Sequence, residues 1–92
     1  MLVELLRALK GNKHEIVAVF SSQEEVGCRG AVTAAYSVEP DIGVAIDVTP
    51  AGDVPKCDPP LPVKVGKGPA VKVKDAYSIS TPVVRDGLVA AA

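Results

Sequence analysis

The sequence predicts an α/β fold, a partial, mixed and mainly parallel sheet with flanking helices. Two observations carry most of that expectation. Ile16-Val17-Ala18-Val19-Phe20 and Ile42 to Val48 are apolar runs rich in β-branched residues, the pattern of strands covered on both faces. Between them, Arg29 to Tyr36 places Ala31, Val32, Ala34 and Ala35 at helical spacing. Strand, short helix and strand in this order imply a right-handed crossover and two parallel strands. Composition agrees, because 16 Val and 4 Ile favour packing on a pleated surface.

The elements follow in order. Leu2, Leu5, Leu6 and Leu9 form one apolar stripe of a helix, with Glu4, Arg7 and Lys10 between them, and Gly11-Asn12 stops it. His14 to Ser21 is the first strand. Ser22 to Gly27 is a polar loop leaving its carboxyl end, and Pro40-Asp41 closes the helical connection to the second strand. Six of the eight prolines lie from Pro50 to Pro69, so this stretch is neither helix nor central strand. Short strands are expected at Pro62–Val65 and Ala70–Lys74, separated by Gly66-Lys67-Gly68-Pro69. Thr81 then reads as the N-cap of a last helix with Pro82 in its first position, and Val83, Val84, Leu88 and Ala91 share one face.

Length and charge exclude several functions. At 92 residues the chain is at most one small domain, able to bury somewhat over 60% of its unfolded surface. Ten Lys and Arg against eleven Asp and Glu leave no excess for phosphate backbones, and three aromatics leave little to stack on bases. Nucleic acid is therefore not an expected partner. No run approaches the ~18 apolar residues of a membrane span, and Glu4 and Arg7 interrupt any signal-peptide core. No membrane partner and a cytoplasmic location follow as expectations. Cys28 and Cys57 are too few for a disulfide framework and read as small buried hydrophobes in a reducing compartment.

Three carboxylates stand out. Glu24-Glu25 lies just past the end of the first predicted strand, and Asp47 closes the second. Ligand sites in open parallel sheets gather at the carboxyl ends of strands, so the crossover would bring all three to one rim. Carboxylates so close repel one another unless a cation joins them. A divalent metal resolves the conflict, and an adjacent pair divides the labour: one carboxylate binds metal while its neighbour takes a proton from water. Solvated loop acids would give the same Glu-Glu pair. Asp47 is harder to read that way, since a carboxylate ending an apolar strand calls for a partner.

Ser22-Gln23-Glu24-Glu25-Val26-Gly27-Cys28-Arg29-Gly30-Ala31 resembles the glutamate-pair motif of the tetrahedral-type dinuclear metallo-aminopeptidases, a family also known as glutamyl aminopeptidase, cellulase M or endoglucanase. Pro40 to Thr49 is similar to the next motif, and Ala51-Gly52-Asp53 and Gly66-Lys67-Gly68-Pro69-Ala70 continue the match in order. The resemblance implies a zinc-exopeptidase-like α/β/α domain of which residues 1–92 are the central part. It implies Glu24 as general base, Glu25 as ligand of one metal ion and Asp47 as ligand of the other. Two zinc or cobalt ions would be the cofactors, short peptides the substrates, and hydrolysis of the first peptide bond the reaction. Lys67 could approach the substrate. The family's enzymes form homo-oligomers, namely dodecamers.

The family uses five ligand positions, and this chain supplies two. The resemblance puts a His-x-Asp motif and the inserted dimerisation domain before the glutamate pair, and a Gly-Gly-Thr-Asp segment with a final histidine after Ala92. His14, at the opposite end of its strand, is expected at the surface. The fragment alone should therefore hold metal weakly at most, be inactive, and be only marginally stable. A non-catalytic remnant or interaction module with exposed sheet edges is the alternative. Related co-catalytic exopeptidases and deacylases also carry a glutamate pair, but the Pro40–Thr49 segment favours the aminopeptidases. A glycoside hydrolase would likewise use two carboxylates, yet three aromatics are few for a sugar cleft.

Overall fold

A computed structural model describes all 92 residues, Met1–Ala92. The chain divides into two units, Met1–Ala45 and Ile46–Ala92.

In the first unit, α1 spans Leu2–Ala8. Its leucine stripe is the one the sequence shows, with Leu2 and Leu9 half-buried. Glu4 and Arg7 pair at 2.7 Å one turn apart, fully in solvent, where such a pair contributes little. Gly11, at φ +85°, turns the chain out of the helix. The exposed His14 donates its backbone N–H to Asn12 Oδ1 at 2.8 Å, at the surface as expected. Helix α2 covers Arg29–Val38, two residues beyond the predicted end, and Glu39 closes it in the left-handed conformation.

In the second unit, α3 spans Pro82–Ala91, with Thr81 extended at the N-cap and Pro82 at the first helical position. Proline is favoured there because its missing N–H would lack a helical partner anyway. The Thr81 hydroxyl makes no capping bond, so the cap rests on the extended Thr81 backbone, whose carbonyl accepts the Arg85 N–H at 2.9 Å.

The structure does not contain the expected sheet. No backbone hydrogen bond joins residues 13–21 or 40–51 to any other segment. The predicted strands at Pro62–Val65 and Ala70–Lys74 form no ladder either, apart from one antiparallel bridge between Lys74 and Ile79. Helices satisfy their own backbone from within, whereas strands need a neighbour. The apolar runs have the composition of strands and lack the partners. The small core expected from the length is absent too, because no residue is buried. Phe20 is 70% exposed and Val48 90%. The chain presents 8397 Å² to solvent, where a folded protein of this mass presents about 5,000 Å² and the unfolded chain about 14,000 Å². No helix is long and apolar enough to cross a membrane.

The single bridge belongs to a hairpin that the sequence reading missed. The Ser80 N–H donates to the Val73 carbonyl at 2.9 Å, and the Asp75 N–H to the Ser78 carbonyl at 3.0 Å. The Asp75 carboxylate closes the turn by accepting the Tyr77 and Ser78 N–H groups at 2.8 and 2.7 Å. An Asp that bonds its own backbone two residues on is a known turn former, so the signal was present. These two amides, the Tyr77 one first, hold the Asp75 carboxyl below its ordinary pKa, with Lys72 at 3.7 Å adding to the effect. The folded pKa is depressed, so the turn's contribution is complete above the ordinary Asp value and fades as pH falls through the lowered one. We expect the Tyr77 and Ser78 amide resonances to be constant from pH 8 down to 5. They should then titrate together with a midpoint below that of an unstructured Asp. A midpoint at or above the ordinary value would show that the turn does not hold the carboxylate.

Candidate functional site

Glu24 sits in a tightly folded loop. Its carbonyl accepts the Gly27 and Cys28 N–H groups at 3.1 and 2.9 Å, forming a closed turn. Outside that turn, the Arg29 N–H donates to the Gln23 carbonyl at 3.3 Å and the Gly30 N–H to the Ser22 carbonyl at 3.0 Å. Gln23 and Cys28 both adopt left-handed backbone, at φ 56° and 52°, and Gly27 stands at φ 108°. A left-handed conformation at a non-glycine residue costs on the order of 1–2 kcal/mol and persists where surrounding bonds enforce it. The Cys28 thiol points at Glu24 Oε1, 3.9 Å away. Both Glu24 and Glu25 are exposed.

Asp47 lies in the second unit and is exposed, not buried as its position at the end of an apolar run suggested. Its Oδ1 accepts the adjacent Val48 N–H at 2.7 Å. No group of three or more His, Cys, Asp or Glu side chains gathers anywhere in the chain. Glu24 and Glu25 belong to the first unit and Asp47 to the second, and neither unit contains the sheet whose strand ends were expected to carry them. Cys28 and Cys57 are free thiols, half-buried.

Within the second unit, the first of the two later motifs holds the segment that precedes the second. The Gly52 N–H donates to the Val63 carbonyl at 2.6 Å. The Asp53 carboxylate accepts the Val65 N–H through both oxygens, at 3.3 and 3.2 Å. A Cβ at Gly52 would overlap the backbone of Leu61, so this approach admits only glycine. Ala51-Gly52-Asp53 thus anchors the segment that leads to Gly66-Lys67-Gly68. There, Lys64 and Lys67 border an open groove of about 260 Å³ with Pro62, Val63, Pro69 and Val71. Neither lysine has an acidic partner, since the ion pairs of this unit are Lys72–Asp75 and Arg85–Asp86.

The family model for M42 glutamyl aminopeptidase matches residues 1–92. The chain belongs to that family. It is 52% identical over 85 residues to a protein of Acetivibrio thermocellus named "Putative aminopeptidase", covering 92% of this chain and 26% of that protein. It is 40% identical over 76 residues to "Putative aminopeptidase FrvX" of Escherichia coli, covering 82% and 21% of the two chains. It is 38% identical over 72 residues to the lysyl aminopeptidase of Pyrococcus furiosus, covering 78% and 20%. The chain therefore spans about a fifth to a quarter of the length of these relatives. No solved structure gives a significant match.

M42 proteins are peptidases, and metal ions are the cofactors the resemblance implies. The donors here do not by themselves fit a two-metal centre. Glu25 in the first unit and Asp47 in the second are each exposed, and neither unit gathers three His, Cys, Asp or Glu side chains. Zinc sites take about four ligands, and two carboxylates fall short of that. What this M42 segment does hold in place is the loop bearing Glu24 and Glu25, closed by the Ser22–Gly30 and Gln23–Arg29 backbone bonds.

The anchoring contact of Asp53 was not legible in the sequence, since an aspartate in a loop motif does not announce a contact twelve positions away. Asp53→Ala should free the Val65 amide and speed its hydrogen exchange several-fold, in line with a bond worth about 1 kcal/mol. Gly52→Ala should act more strongly, because the clash is with backbone and overpacking costs about 1–3 kcal/mol. Unchanged Val65 exchange in both variants would remove Asp53 as the anchor.

Proposed function

We propose that the chain is the central segment of an M42 aminopeptidase catalytic domain, which hydrolyses the N-terminal peptide bond of short peptides. The carrying observation is the family match over all 92 residues, with the Glu24-Glu25 loop closed on itself. Glu24 takes the proton of the attacking water and can pass it to the leaving amine. Glu25 and Asp47 each contribute a carboxylate to one of two divalent ions, zinc or cobalt, with the other donors supplied by the rest of the M42 fold. Such ions, when bound, polarise the scissile carbonyl and acidify water. Lys67, on the rim of the groove, approaches the substrate peptide. The α/β sheet expected for Ile16–Phe20 and Ile42–Val48 forms in the assembled domain, and the dodecameric association and cytoplasmic location expected from the resemblance belong to that whole protein. Alone, the 92-residue chain is inactive.

The test is a graft, with residues 1–92 replacing the equivalent segment of the Acetivibrio thermocellus relative, in register with the 85 aligned residues. The graft should release N-terminal residues from short peptides and lose that activity to a chelator. Glu24→Gln should lower kcat by about 10²–10⁴-fold with metal still bound, the usual contribution of general acid–base catalysis. Glu25→Gln and Asp47→Asn should each lower metal content. A folded, metal-loaded graft without peptidase activity would reject the proposal. So would turnover by the isolated chain with added zinc or cobalt and contaminants excluded.

A further inference from the structure

The proposed base occupies a loop whose shape depends on one residue that carries no side chain. Gly30 is the second residue of α2, and its N–H donates to the Ser22 carbonyl at 3.0 Å. A Cβ built on Gly30 would lie 2.6 Å from Ser22 N, 2.7 Å from Ser22 O and 2.9 Å from Ser22 Oγ. Two of those three atoms are backbone, so no rotamer change relieves the clash. Glycine is needed here for space. That separates it from Gly27 in the same loop, where φ is 108° and nothing lies within 4 Å of a built Cβ.

We infer that Gly30, seated on Ser22, is a positioning residue for Glu24. The inference rests on the reading of Glu24 as the base. Ser22 and Gly30 are the two ends of the loop, and their contact is its outermost closure. Inside it come the Gln23–Arg29 bond and then the turn from Glu24 to Gly27 and Cys28. Each closure leaves less freedom to the next, so the position of the Glu24 Cα is set from the outside inwards. The left-handed Gln23 and Cys28 on either side of Glu24 are conformations that such a frame has to hold in place. Moving α2 off Ser22 by the few tenths of an ångström to an ångström that a methyl requires would shift Glu24 relative to any substrate held elsewhere. Misplacement of about 1 Å costs on the order of 10²-fold in rate.

In the graft, Gly30→Ala should lower kcat by about 10–100-fold per folded molecule, with KM within about threefold. The control Gly87→Ala, in α3 where nothing lies within 4 Å of a built Cβ, should leave kcat unchanged. A merely structural glycine would reduce the yield of folded enzyme and leave kcat per folded molecule intact, and that result would overturn the inference. If Glu24→Gln inactivates while Gly30→Ala keeps full kcat, this inference fails and the reading of the base survives. If Glu24→Gln is fully active, the reading of the base fails first and this inference with it. One measurement needs no variant. In the unaltered 92-residue chain, the Arg29 and Gly30 amides should exchange with solvent more slowly than those of Val44 and Ile46, which donate no backbone bond. Equal rates would show that the loop is not closed and would also overturn the inference.

Discussion

A strand keeps its form only when a neighbour takes its N–H and C=O groups and other residues cover its faces. Ile16–Phe20 and Ile42–Val48 have neither condition met, and the rest of the chain follows from that. Without a paired strand there is no surface for α1 or α2 to lie on, so no residue of either helix is fully buried. The chain exposes roughly 3,400 Å² more than a folded protein of its mass would. Obligate interfaces bury about 2,000–5,000 Å² or more, so the excess is on the scale that association or assembly covers.

The features that were legible in the sequence are those whose causes are local. The leucine stripe of α1, the small-residue pattern of α2 and the Thr81-Pro82 start of α3 each reappear close to their expected bounds. Their hydrogen bonds close within four residues, so the information lies within one or two turns of sequence. The parallel sheet is different. The β-branched runs state that strands are wanted, but pairing is a relation between distant segments and its free energy comes from coverage that composition does not supply. The missed Asp75 hairpin is an error of another kind. Its cause is local, an aspartate bonding its own turn directly after the segment expected as the strand Ala70–Lys74.

The candidate site divides along the same line. The loop of Glu24 spans nine residues from Ser22 to Gly30 and is closed by nested backbone bonds. The tether from Asp53 to Val65 spans thirteen and uses one carboxylate. Short closures lose little chain entropy, so modest bonds hold them even where no core exists. Convergence of Glu25 with Asp47 has no such local route. The residues are 22 positions apart with an apolar run and a helix between, and only a formed sheet would bring their strand ends side by side.

The two jobs assigned to the glutamate pair therefore make different demands on the fold. A general base must be placed to a fraction of an ångström, but its placement can be built from its own loop. A two-metal centre needs several donors at fixed mutual distances, and each donor rides on a different segment. Metal affinity then reports on assembly of the whole sheet, whereas the geometry around Glu24 reports on Ser22 to Gly30 alone. On the proposed roles, adjacency of Glu24 and Glu25 couples the two levels: ligands from elsewhere that fixed Glu25 would bring Glu24 to the reacting water in a loop that already has its shape.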